Sequence, residues 1–266
     1  MPKILYQSQQ FALQQKIARK SIREFQPKIK EALQADFDKA AQMVEALGVE
    51  QAANNRAGFF TGDKINNILR TLYESTGGYT AMRYQQMFEK NKKAEEIDLD
   101  PLNILDEWLV FMLSYWTAIS GPKMLGIENT TENEIARILA NVIKYGRENG
   151  LSQNEVNRLA IQTLREGKIN NARSLLIART ESHQALSTGA IGAVRLAGVP
   201  VLKQWIAAEY ASKSGKPRLW HRDLDRQTNP DNKGVRIPVN QPFLVNTPDF
   251  GLIEMQYAHD AAGLAV

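Results

Sequence analysis

Residues with chemical potential crowd into the last third of the chain. All three histidines, His183, His221 and His259, lie there, and Ala178-Arg179-Thr180-Glu181 stands just before the first of them. In extended chain, His221-x-Asp223-x-Asp225 would put three metal-ligand types on one face, since alternate residues of a strand point the same way, and His259-Asp260 could add to the set. No pair of histidines has helical ligand spacing, so the expectation is hydrogen-bonded histidines with no metal and no cofactor. Arg179 and His183 are four apart and share a helix face, whereas Glu181, two residues from Arg179, points elsewhere. Two polar anchors on one helix suit a scaffold: Asp223 or Asp225 is expected to pair with Arg179, and Arg218 or Arg222 with Glu181, through charge-assisted hydrogen bonds.

Other catalytic templates are missing. The chain has no Gly-rich phosphate loop, no Gly-x-Ser-x-Gly elbow and no cysteine, which excludes thiol catalysis, disulfides and Cys-ligated zinc or iron–sulfur centres. Glu132-x-Glu134 has the spacing of the acidic pair in arginine-directed ADP-ribosyltransferases, but the Ser-Thr-Ser strand that supports that pair is lacking.

With 266 residues, 43% apolar and 23% charged, the chain has the composition of a folded globular protein with room for one large or two ordinary domains. Its N-terminus turns polar at once, so Sec-type export is not expected. The net charge of +4 hides a pattern. Residues 1–93 carry 15 Lys+Arg against 9 Asp+Glu, residues 94–134 carry 1 against 9, and residues 135–266 carry 17 against 11. An acidic strip thus separates two basic halves. The basic residues are interleaved with acids, so solvated helix faces are expected, and an internal DNA-binding protein stands as an alternative.

The elements that must hold these residues read as helices. Phe25, Ile29, Leu33 and Phe37 recur every four residues, with Pro27 marking a start near Phe25 and Gly48 an end. A second apolar stretch runs from Ile65 to Tyr73, with Gly77-Gly78 as a break. Trp108 to Ile119 is uncharged and ends at Ser120-Gly121-Pro122, too short for the roughly 20 residues a bilayer span needs. No membrane span is expected. Trp108, Phe111 and Trp116 in this segment are candidate partner-binding residues, because buried aromatics dominate interface energies. Thr131 with Glu134 and Ser152 with Glu155 match the capping box and predict two helix starts. A third helix should run from about Asn171 to Ala197. Beyond Pro200, five prolines and short runs such as Val235 to Val239 and Phe243 to Val245 predict a small, irregular region containing β-strands.

That tail, joined to the Ala178-Arg179-Thr180-Glu181 helix, resembles the phage Mu protein F-like family of minor head, or head morphogenesis, proteins. The resemblance rests on Ala-Arg-Thr-Glu followed by the small residues Ala185, Gly189, Ala190 and Gly192, then Lys203-x-Trp205, Arg218, His221, Leu224-Asp225, Phe243-x-Val245 and the loop Pro248-Asp249-Phe250-Gly251. It covers about residues 130–266. Family members commonly close with a Cys-x-Cys pair, which this chain lacks, so no metal role carries over.

The reading is a mainly α protein with a small α+β C-terminal domain: a helical N-terminal region at 1–128 and a Mu F-like domain at 129–266. Arg179, Thr180, Glu181, Trp205, Arg218, His221 and Asp225 form its structural motif. The resemblance implies a low-copy, non-enzymatic minor capsid protein of a tailed bacteriophage, found at the portal vertex or head interior of the virion and in the host cytoplasm during assembly. Its implied partners are the portal protein, other head proteins and packaged DNA, and its role is head assembly or genome delivery. A metal-dependent hydrolase or toxin effector packaged with the head is the alternative from the enzyme class.

Overall fold

The computed structural model describes residues 7–55, 59–60, 62–88, 104–166, 170–196, 202–205, 219–228, 230, 233–247 and 251–255. It is mainly α, with short antiparallel strands confined to the C-terminal part. The first helix, α1 (Gln7–Leu47), runs straight through Pro27. Its buried positions Ile17, Ser21, Phe25, Ile29 and Leu33 keep the four-residue spacing on both sides of the proline. The helix therefore starts well before the expected boundary near Phe25. An interior proline costs about 3 kcal/mol, but each fully buried Ile or Phe returns roughly 1.5–3 kcal/mol, and several lie on either side. Pro27 is exposed, so water can serve the carbonyl left without its N–H partner. The expected end holds, because Gly48 adopts φ 82°, a left-handed conformation that favours glycine.

After the short α2 (Val49–Asn54), α3 (Asp63–Leu72) continues through a π-helical turn (Tyr73–Gly77) into α4 (Gly78–Phe88). The glycine pair is thus not a break. Gly77 sits where two backbones meet: a Cβ on Gly189 would fall inside the envelope of the Gly77 carbonyl oxygen.

The next helix, α5 (Asp106–Glu148), also overrides its punctuation. Ser120-Gly121-Pro122 does not end it, and Thr131 does not begin a new one. With helix already present upstream, the Thr131 hydroxyl donates back to the Ile127 carbonyl at 2.7 Å, and Glu134 pairs with Arg137 at 2.6 Å. The Ser152–Glu155 capping box does form at the start of α6 (Gln153–Arg165): the Ser152 backbone N–H donates to Glu155 at 2.8 Å. α7 (Asn170–Leu196) closes the helical body.

Three clusters of buried side chains make the helical core, and they ignore the expected division at 128/129, which falls inside α5. One joins Phe37 and Val44 of α1 to Ile135 and Leu139 of α5 and to Val156, Ala160 and Leu164 of α6. Another joins Phe25, Ile29 and Leu33 to Leu69, Leu72, Met112, Trp116, Ala178 and Ala185. The third packs Ile17 and Ala18 against Tyr79, Trp108, Leu186, Ala190 and Val194. Residues from both sides of the expected boundary therefore share each of them.

The C-terminal part has its own small core. β1 (Leu202–Lys203) pairs antiparallel with β2 (Ile237–Pro238), and β3 (Phe243–Thr247) with β4 (Gly251–Met255), with α8 (Leu219–Thr228) packed on β3. Trp205, Leu224, Phe243, Val245 and Met255 fill the space between them. Trp205 meets Phe243 edge-on at 5.4 Å between ring centres, and its backbone N–H donates to Thr228 Oγ1 at 2.8 Å.

Candidate functional site

The motif helix α7 lies against α1, α4 and the π-helical turn, and Ala178-Arg179-Thr180-Glu181 spreads around it as a helix must. Ala178 is buried in the core, Arg179 is exposed, Thr180 is half-buried and Glu181 is buried. Glu181 is the centre of a polar seam between α7 and α5. Lys123 Nζ donates to its two carboxylate oxygens at 2.8 and 3.0 Å, and the Tyr73 hydroxyl donates at 2.7 Å. Lys123 also donates to Gln184 Oε1 at 2.7 Å, and Gln184 Nε2 donates to the Tyr115 hydroxyl at 3.1 Å. The rings of Tyr73, Tyr115 and Trp116 stack around the seam with centres 5.0–5.9 Å apart. Both charged side chains are 9% exposed, so the pair survives only because the carboxylate and ammonium are almost fully hydrogen-bonded.

One residue further along, Ser182 bonds to Ser21 of α1 at 2.8 Å, and Ser21 bonds to Thr76 of the π-helical turn at 2.7 Å. All three hydroxyls are fully buried. At the start of α7, Arg173 Nη2 donates to the Ile127 carbonyl of α5 at 2.9 Å. Burial pulls the Arg173 pKa down, and Glu134 and Asp36 nearby pull it back up. His183 is half-buried; burial, and then the neighbouring Arg179 charge, lower its pKa and favour the neutral ring.

The expected pairings are replaced. Among the described residues Glu181 takes Lys123 and Tyr73 and not Arg222, while Arg218 lies outside the described residues. Arg179 forms no ion pair among the described residues, so neither Asp223 nor Asp225 holds it. The cause is α8: His221, Asp223 and Asp225 sit on a helix, where residues two apart diverge, so the extended ligand array is not formed. Asp225 is buried, while Asp223 faces solvent beside Arg226 at 3.9 Å. The His221 side chain, Arg218 and His259 lie outside the described residues. No group of three or more His, Asp or Glu positioned for a metal occurs among the described residues.

Trp108 and Trp116 are corrected from partner-binding to core residues. They are 2% and 3% exposed, and their indole N–H groups are already used, by Gln85 at 2.8 Å and Asn66 at 3.2 Å. Phe111 lies edge-on to Trp108 and against Gly192. No helix among the described residues is long and apolar enough to cross a membrane.

A shallow groove of about 530 Å³ lies away from the seam, lined by Glu45, Arg158, Ile161, Gln162, Arg165 and Glu166 and partly bridged by Arg165–Glu45 at 2.8 Å. The Lys123, Tyr73, Gln184 and Tyr115 bonds make the seam a clasp between helices. Sequence reasoning missed its Lys123 half, although a signal existed: Lys123 is the one cation in the acidic strip of residues 94–134. No protein-family model, curated protein or solved structure matches this chain.

Proposed function

We propose that this chain is a low-copy, non-enzymatic minor head protein of a tailed bacteriophage. It sits at the portal vertex or head interior, with the portal protein and other head proteins as partners, and it acts in head assembly or genome delivery. One observation carries the reading. Trp205, Leu224, Phe243 and Val245, the apolar members of the C-terminal half of the motif that resembles the Mu protein F-like family, meet in a single small core although they are scattered over some forty residues of sequence, while Ala178, Ala185 and Ala190 of its helical half lie in the cores of the helical body. A motif whose members pack together is a fold signature. The motif glutamate, Glu181, is buried and held by Lys123 and Tyr73 across two helices, an arrangement that suits a scaffold.

Quantitative mass spectrometry of purified virions, before and after induced DNA ejection, tests this. A few copies per portal are expected, and their loss on ejection would assign the chain to genome delivery. Absence from virions would overturn the reading.

A further inference from the structure

The solvent side of α1 carries a row of cations. Lys16, Arg19, Arg23 and Lys30 recur at intervals of three, four and seven residues, so they line one helix face opposite the buried Ile17, Ser21, Phe25 and Ile29. Lys16, Arg19 and Arg23 are exposed and Lys30 is partly so. None of the four has an ion-pair partner among the described residues, whereas the nearby Lys28 is held by Glu24 at 3.2 Å.

The described elements packed around the first part of the row carry few acids. No Asp or Glu occurs in α1 from Gln7 to Arg23, in α4, or in α7 beyond Glu181, and these are elements that pack together at this end of the bundle. Among the described residues the nearest acids are Asp106 and Glu107, at the start of α5, and Glu24 and Glu31 of α1, of which Glu24 is taken by Lys28 at 3.2 Å and Glu31 by Lys64 at 2.7 Å. From Lys16 to Lys30 the row extends about 21 Å, at 1.5 Å per residue, which spans roughly six base-pair steps of duplex.

We infer that this face of α1 is a docking surface for the phosphate backbone of double-stranded DNA, held without reading its sequence. The cations are regularly spaced along one face of a helix and hold no ion-pair partner among the described residues, and four cations set on a single face suit phosphate contacts rather than a pattern of base edges. A lipid surface would need apolar residues beside the cations, but the apolar face of α1 is sealed in the core and the exposed row offers only Ala12 and Pro27 between its charges. The inference rests on the head-protein reading only for the source of the DNA, which would be the packaged genome.

The test uses the purified full chain and a labelled random-sequence duplex of about 30 base pairs, titrated across salt concentrations. With four phosphate contacts, log K should fall against log salt with a slope of about −3.6, at roughly 0.9 per contact. The triple variant Lys16→Gln/Arg19→Gln/Arg23→Gln should flatten that slope by nearly 3 and lose at least tenfold in affinity at low salt, with an unchanged Tm because the three side chains are exposed. Lys28→Gln, which removes a cation already paired, should leave the slope alone. An unchanged slope in the triple variant, absence of duplex binding at low salt, or binding of phosphatidylserine vesicles in preference to duplex would each overturn the inference. Failure here leaves virion copy number untouched, and absence from virions leaves the duplex measurement untouched, so the two readings fail separately.

Discussion

At Glu181 a single carboxylate joins three helical segments, and the energetics of that join are asymmetric. Deleting one member of a buried pair strands the other charge, which typically costs 3–5 kcal/mol, whereas replacing both can be nearly neutral. Lys123→Met should therefore lower the urea unfolding free energy by about 3–5 kcal/mol, and adding Glu181→Gln should restore part of it. Arg179→Ala, at an exposed site without an ion pair among the described residues, should stay within about 0.5 kcal/mol of the parent. Equal losses at Lys123 and Arg179 would contradict the clasp.

His183 supplies a pH handle. Its folded-state pKa lies below the ordinary value of 6.5, because burial first and Arg179 second disfavour the imidazolium. The unfolded chain thus takes up a proton more readily than the folded one, and stability rises with pH through that interval. Melting curves should show Tm falling as pH drops below about 6.5, and His183→Gln should remove that part of the decline.

Among the elements, α1 and α5 each contain a proline that local rules would place at a terminus. Both prolines are exposed and both helices continue because their apolar stripes find partners on either side. Pro122→Ala should restore an N–H for the Ala118 carbonyl and raise the unfolding free energy by roughly 1–3 kcal/mol, after allowing for the greater freedom of the unfolded chain. The crossing of α7 over the π-helical turn is the opposite case. There Gly189 and Gly77 bring two backbones together, so Gly189→Ala must push the helices apart and should cost about 1–3 kcal/mol or more in thermal or urea unfolding.

Over the whole molecule, the helical body and the C-terminal module are stabilised on different footings. The body draws on three clusters that thread α1, α5, α6 and α7 together, while the module's core has five buried apolar side chains among the described residues and two-stranded sheets, which are marginal alone. Trp205→Ala should remove the centre of that small core. Hydrogen exchange should then accelerate across residues 202–255 while α1 to α7 keep their protection; uniform acceleration through both parts would show one cooperative unit instead.

Much of this architecture could be read from residue order because the forces involved are local. The Ser152–Glu155 cap, the Gly48 terminus, the end of α7 and the strands around Ile237 and Phe243 all follow from backbone preferences that act within a few residues. Composition and period likewise determined the mainly α class with a small strand-bearing tail. What tertiary structure alone decided were the contests between local cost and distant gain. Pro27, Gly77-Gly78, Pro122 and Thr131 are each helix breaks or starts by local rules, and each was overridden by burial against segments far along the chain. The partner of Glu181 was decided in the same way. Lys123 lies 58 residues away and Tyr73 108, and pairing across such intervals depends on which helix faces pack together, which no spacing within either segment encodes.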